Sequence, residues 1–256
     1  MKELYLLLRF LFMSRYKIII QYDGLDFSGF QSQKNLNTIQ DKIEHSLSFL
    51  NHNNLIRVLG ASRTDAGVHA LGQVAHFDFD TELSLNAIKR ALNARLPIEI
   101  RIIDIMEVDA RFHARFDAIK KEYLYQCSLT DNPLLSKNHF IVKKIDFDML
   151  KDIESELLGK HDFLSFSKFD IEKKNTVCQI FKSKWTLEDD KLFYIIEGNR
   201  FLHHMVRYLV GTMIGCMEQK ISKKDFISLL DNPRKDGKLL KAPAHGLILN
   251  RIFYEN

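Results

Sequence analysis

Gly60-Ala61-Ser62-Arg63-Thr64-Asp65-Ala66-Gly67-Val68-His69-Ala70 decides the reading of this chain. It follows the apolar run Leu55-Ile56-Arg57-Val58-Leu59, which reads as a strand, and its small, turn-forming residues let a backbone leave a sheet sharply. Asp65 is therefore expected on a loop at a sheet edge. An aspartate is ionised in neutral water without a general base. To act as a nucleophile it needs orientation and a counter-charge that survives partial burial, and Arg63 stands two residues away. Taken alone, an R-x-D-x-G segment also describes an Asx turn with its arginine in solvent, so the wider chain has to decide.

Outward from this loop, residues 16–22 read as a strand, and residues 38–50 as a helix with Ile39, Ile43, Leu47 and Leu50 at helical spacing. Residues 74–79 alternate as a further strand. Ser84 is a cap residue for a helix carrying Leu85, Ile88, Ala91 and Leu92, which Pro97 ends, and 98–108 returns as a strand. The second half repeats the order: strand 122–129, helix 148–158, strands 180–187 and 192–198, a long helix 201–218, a short helix 222–230, and a last strand 247–253 after the turn-rich stretch 231–246. On the long helix Phe201, Met205, Tyr208, Leu209 and Thr212 share a face, which is the pattern of burial. The pattern divides the chain into an α/β half at 14–108 holding the Asp65 loop and a second at 109–256, after an N-terminal segment 1–13.

With 256 residues and 46% apolar composition, the chain can fill a sizeable core. Lys and Arg number 37 against 33 Asp and Glu, and residues 1–108 carry 12 of each sign, so the whole excess of four lies beyond them. Clustering matters more than that small total, and the basic stretch from Arg111 to Lys121 is the better sign of a polyanionic partner. The three cysteines, Cys127, Cys178 and Cys216, are far apart and include no C-x-x-C pair, which argues against a disulfide framework or a cysteine zinc site and fits a reducing cytoplasm. The apolar run from Leu4 to Met13 is interrupted by Arg9 and is far shorter than the roughly 20 residues that cross a bilayer. It lacks a small-residue cleavage pattern, and reads as a tail or as sequence ahead of a true start at Met13.

The Asp65 segment closely resembles the signature of the TruA family of tRNA pseudouridine synthases, and the match continues through Leu71-Gly72-Gln73-Val74-Ala75-His76-Phe77. Further similar blocks follow the family order: Tyr22-Asp23-Gly24 with Phe27-Ser28-Gly29-Phe30-Gln31, Phe112-His113-Ala114-Arg115-Phe116, Lys121-Glu122-Tyr123-Leu124-Tyr125, Gly159-Lys160-His161-Asp162-Phe163, and Phe201-Leu202-His203-His204-Met205-Val206-Arg207. Phe30 stands where the family often has Trp, and Ser62 where Gly is common; neither change removes a group the chemistry needs. The resemblance implies an α+β pseudouridine synthase fold, two similar α/β halves forming a continuous mixed, mainly antiparallel sheet flanked by helices, with a central cleft. It also implies a cytoplasmic homodimer that isomerises uridine to pseudouridine at positions 38, 39 and 40 of the tRNA anticodon stem-loop, with Asp65 as nucleophile and no cofactor.

That reaction detaches uracil from C1′, rotates it and reattaches it through C5. Asp65 can serve by adding to C6 of the base or by acting on the sugar to give a glycal-type intermediate, and the residues do not choose between these routes. By resemblance Arg207 partners the Asp65 carboxylate, while Arg63 positions the RNA backbone, which a planar guanidinium can hold bidentately. Tyr123 is implied to stack on the flipped base and to accept the C5 proton. Each has a plainer alternative: Arg207 snorkelling from a core helix, Tyr123 as a good strand former. Arg111, His113, Arg115, Lys120 and Lys121, interleaved with Phe112, Phe116 and Tyr123, have the composition of a backbone-tracking surface with stacking platforms, or of a solvated strand edge. Gln31 reads as a loop contact for RNA, or as a solvated loop glutamine. His203 with His204 invites a metal reading, but adjacent helical residues diverge by about 100° and no H-E-x-x-H accompanies them, so His203 is assigned to phosphate or to supporting a neighbouring site residue instead and no metal is expected.

Two other classes compete. A non-catalytic RNA-binding protein on the same fold would be expected to lose Asp65, Arg207 or Tyr123, and all three are present. A glycoside hydrolase would need a second carboxylate as acid; the near candidates Asp78 and Asp80 follow an apolar strand and read as solvated, and such an enzyme would release free uracil.

Overall fold

The computed structural model describes residues 13–168 and 175–255. The expected tail at 1–13 lies, apart from Met13, outside them. The chain divides into two compact units, one made of residues up to Ala118 with the extreme C-terminus from Tyr254, the other of Ile119–Phe253.

The first unit is built on β1 (Ser14–Tyr22), β2 (Leu59–Gly60), β3 (His69–Phe79) and β4 (Ile100–Val108), with helices α1 (Ile39–Leu50) and α2 (Leu85–Arg95). β1 pairs antiparallel with β3 on one side and β4 on the other. Its period of two buries Tyr16, Ile18, Ile20 and Tyr22 on one face, where Ile39, Ile43 and Leu47 of α1 and Ile88 and Leu92 of α2 are also buried. Both helices start as their sequences dictate: Thr38 accepts from Asp41 N–H and Ser84 from Ala87 N–H, each satisfying an otherwise orphaned donor.

Two expectations change here. The strand read at 55–59 shrinks to β2, paired at Leu59–His76 and Gly60–Ala75, because the Val58 N–H donates to the Glu44 carboxylate at 2.9 Å instead of to a neighbouring strand. β4 starts at Ile100, since Pro97 accepts the Ile100 N–H in a turn and leaves Ile98 79% exposed.

The second unit contains β5 (Ala118–Ser128), β6 (Phe140–Ile141), α3 (Phe147–Glu156), β7 (Gly159–Asp162), β8 (Val177–Glu188), β9 (Lys191–Gly198), α4 (Met205–Met217), α5 (Lys223–Asp231) and β10 (Leu247–Tyr254). Its strand order is β10-β5-β9-β8-β7, with β6 on β5. β5–β9, β9–β8 and β8–β7 are antiparallel and β5–β6 is parallel, so the α+β architecture is mixed but mainly antiparallel. Trp185 of β8 packs against Tyr194 of β9 with ring centroids 4.8 Å apart in a tilted arrangement, and its indole N–H points at Met213 Sδ of α4. That places the apolar α4, with Leu209, Val210, Met213 and Ile214 all buried, as the core helix of this unit.

The helix read from 201 begins only at Met205. His204 has φ 64°, a left-handed conformation that a helix cannot contain, so Phe201, His203 and His204 precede the helix rather than ride on it. The argument from a 100° divergence on a helix therefore does not apply to the two histidines.

Candidate active site

The Asp65 loop begins where a backbone ladder gives way to a side chain. Ala61 N–H donates to Val74 C=O at 2.8 Å, a backbone rung between the loop and β3. At Ser62 both backbone groups turn to Gln73: its amide oxygen accepts the Ser62 N–H at 3.2 Å and its amide nitrogen donates to the Ser62 carbonyl at 2.8 Å. Gln73 is wholly buried. Beyond Arg63, the Thr64 hydroxyl lies 2.7 Å from the Tyr22 hydroxyl, and the Thr64 carbonyl accepts the Phe30 N–H at 3.2 Å.

The turn then closes on itself. Val68 N–H donates to Asp65 C=O, and Gly67, at φ 77°, donates its N–H to Phe27 C=O. The glycines of the 24–29 loop exist for this approach: a Cβ on Gly24 would stand 2.0 Å from the Val68 carbonyl oxygen, and one on Gly29 2.7 Å from that of Thr64. Asp65 is thus partly buried on a loop whose backbone is fastened on both sides, while Arg63 projects to solvent. Gln31 is exposed, immediately after the Phe30 that anchors Thr64.

In the same unit the basic arm carries Arg111, His113 and Arg115. Arg111 is nearly fully exposed, with Nε 3.0 Å from Asp109. His113 Nδ1 accepts the N–H groups of Arg115 and Phe116, so that edge of its ring shapes the arm itself. Arg115 is exposed. The arm is held at Ala114, whose N–H donates to His76 Nδ1 at 3.2 Å and whose carbonyl accepts the Tyr254 hydroxyl at 2.6 Å.

The second unit holds Tyr123, Arg207 and His203. Tyr123 lies in β5, 7% exposed, edge-to-face with Phe201 at 5.1 Å. Tyr125 follows on the same face of the strand, but its hydroxyl donates to Pro243 C=O at 2.8 Å, and burial pushes its pKa far above the usual phenol value. Its proton is committed to the backbone. Arg207, on the first turn of α4, donates from Nε to Ala242 C=O at 2.9 Å and accepts the Ala242 N–H on its own carbonyl at 2.9 Å. His203 is exposed, and its carbonyl accepts the Lys168 N–H.

The sequence reading gave no role to Gln73, Tyr22 or Ala242, although Tyr22 and Gln73 both lie inside the quoted blocks. For Tyr22 and Gln73 the signal was that a polar or amphipathic residue stands at an inward-facing strand position, where an apolar one is the default; Ala242, outside any strand, carried none.

Comparison with known proteins supplies what the geometry of each unit leaves open. The tRNA pseudouridine synthase family profile matches residues 18–117 and 154–255. The chain belongs to this family. Its curated relatives include tRNA pseudouridine synthase A of Latilactobacillus sakei, 35% identical over 247 residues covering 94% of this chain and 99% of the relative. The same enzyme of Azobacteroides pseudotrichonymphae is 38% identical, covering 95% and 98% respectively, and that of Bacillus subtilis is 36% identical, covering 94% and 100%. The matched segments include Asp65 in the first unit and His203 and Arg207 in the second, while Tyr123 lies between them.

Proposed function

We propose that this tRNA pseudouridine synthase acts on the anticodon stem-loop, converting uridines 38, 39 and 40 to pseudouridine with Asp65 as the nucleophile. The observation that carries the assignment is the fastening of the Asp65 loop: partly buried carboxylate, backbone bound on either side, in a chain of this family. A carboxylate fixed in advance loses little freedom on reaching its substrate, and such preorganisation supplies several kcal/mol of a barrier.

On this reading the C1′–N1 bond breaks, the base turns, the C1′–C5 bond forms, the proton on C5 leaves and N1 takes up a proton, so that product and substrate are isomers. No electron is gained or lost, so the reaction as written calls for no redox cofactor. Arg207 supplies the counter-charge to the carboxylate, Tyr123 stacks on the detached base and takes up the C5 proton, and Arg63, Gln31, Arg111, His113, Arg115 and His203 contact the RNA. Both the C6 and the sugar route use Asp65 in the same protonation state. The same reading makes the working enzyme a cytoplasmic homodimer. Among the described residues no helix is long and apolar enough to cross a membrane.

The test is tritium release from tRNA labelled at uracil C5, with pseudouridine mapped in the product, for wild-type protein and Asp65→Asn. Release that depends on Asp65 and maps to the anticodon arm is expected, with tRNA affinity of the variant within a few-fold. Tight tRNA binding without release would turn the assignment to a non-catalytic RNA-binding protein, and free uracil would turn it to a hydrolase.

A further inference from the structure

We infer that Gln73 is a positioning residue for Asp65, acting as a side-chain rung that continues the β2–β3 ladder into the nucleophile loop. The inference rests on the assignment of Asp65 as nucleophile and names what holds it.

The geometry is specific. β3 pairs with β2 at Leu59–His76 and Gly60–Ala75, followed by a bond from Ala61 N–H to Val74 C=O. The next backbone pair would engage Ser62, and there the primary amide of Gln73 stands in for a strand, accepting from the Ser62 N–H and donating to the Ser62 carbonyl. An amide side chain presents the same donor and acceptor as a peptide unit, so it closes a two-bond ring with one residue of backbone. The main chain therefore peels away from the sheet at a fixed residue without leaving Ser62, itself buried, unsatisfied.

The amide does more than end the ladder. Its nitrogen also lies 3.4 Å from the Tyr22 hydroxyl, which is 2.7 Å from the Thr64 hydroxyl. Gln73, Tyr22 and Thr64 are all buried, so this relay runs beneath the loop and ties down the residues on both sides of Arg63, the second of them adjacent to Asp65. Its backbone is shared between β1 and β3, where Ile20 pairs with Gln73, so the nucleophile loop is referenced to the centre of its own sheet. A buried network is stiff only when every member is satisfied, and removing one leaves the others exposed to the cost of an unpaired polar group.

The experiment compares wild type, Gln73→Leu, Tyr22→Phe and the double variant in single-turnover tritium release from saturating C5-labelled tRNA, together with tRNA dissociation constants and far-ultraviolet melts. Displacement of a reacting group by about 1 Å costs roughly 100-fold. Gln73→Leu is expected to slow release by about 100-fold while the dissociation constant stays within about threefold, and Tyr22→Phe, which keeps the ring volume, to slow it by about tenfold. The double variant should be no slower than Gln73→Leu, because the two act through one relay. Should Gln73→Leu fail to fold, Tyr22→Phe carries the test alone. Release at the wild-type rate from folded variants, or a loss of rate matched by an equal loss of tRNA affinity, would overturn the inference. Absence of Asp65-dependent release from wild-type protein would instead overturn the assignment on which it rests.

Discussion

Arg207 and Ala242 exchange two hydrogen bonds, Nε–H to carbonyl and backbone N–H to carbonyl, each 2.9 Å. The pair joins the first turn of α4 to the stretch before β10, and Gly211, one turn on, makes the approach possible because a Cβ there would meet the Leu240 carbonyl oxygen at 2.4 Å. With Nε bound to backbone, the plane of the guanidinium is set by the fold. Lysine carries no second donor set and cannot both satisfy Ala242 and present a planar fork. Arg207→Lys is therefore expected to lower single-turnover tritium release by about 100-fold, the range seen when one preorganised electrostatic partner is removed, with only a small shift in the melting temperature. A variant that kept the wild-type rate would remove Arg207 from the reaction.

His76 gives the fold a defined response to acid. It is 2% exposed, and its Nδ1 must be unprotonated to accept the Ala114 N–H. Burial, then the nearby charges of Arg15 and His113, outweigh Asp78 and Asp117 and depress its pKa from 6.5 to about 4. A depressed histidine pKa means the unfolded chain binds the proton first, so the stability it contributes is whole above about pH 6.5 and drains as pH falls toward 4. The slope is at most ~1.4 kcal/mol per pH unit, or up to ~2 kcal/mol between pH 6.5 and 5. Urea denaturation of wild type and His76→Asn at these two pH values measures it: asparagine keeps an acceptor without a titrating group, so the wild-type loss should exceed that of the variant. Equal losses would mean that His76 does not set the acid limb.

The alternation of β1, the capped helices at Ile39 and Leu85, and four strands of the second unit, β5, β8, β9 and β10, were legible in the chain because apolar spacing reports burial directly, whereas the short β6 and β7 were not. The same rule misread residues 55–58, whose apolar alternation survives although Val58 bonds to Glu44 rather than to a strand. It also cut β3 short at 74, since Gly72 and Gln73 break the pattern while Gln73 is among the most buried residues. Periodicity cannot register a polar side chain that is inside because its hydrogen bonds are met. The start of α4 was placed four residues early because left-handed His204 has no side-chain signature of the kind glycine gives. Asp65 was singled out because its neighbours are a recognisable block; Gln73 lay in that block without a role, because its partner Ser62 is known only from the fold.

Of the two phenylalanines that the sequence offers as stacking platforms on the basic arm, one stands out to solvent. Phe112 is packed 5.3 Å from Tyr254 and 6.1 Å from His76, and Lys17 lies over its ring, so it belongs to the support of the arm. Phe116 is 74% exposed, with the His113 ring at 4.3 Å and the Arg115 guanidinium 5.6 Å from its centre. An aromatic held out to solvent costs apolar exposure, and here it is held out by a stiff arm, because the backbone groups of Ala114 are tied to the buried His76 and the half-buried Tyr254. Stacking of a base on such a ring is worth about 1–3 kcal/mol, so Phe116→Ala should weaken tRNA binding by roughly 5- to 150-fold at fixed salt without changing the melt. Arg115→Ala should act differently: if Arg115 meets a phosphate, its loss weakens binding and lowers the slope of log affinity against log salt by about one, while Phe116→Ala leaves the slope as it was. Filter binding of labelled tRNA between 50 and 200 mM salt, the span over which phosphate contacts are resolved, separates the two. A Phe116→Ala protein that binds tRNA as wild type does would return Phe116 to the status of an exposed hydrophobe.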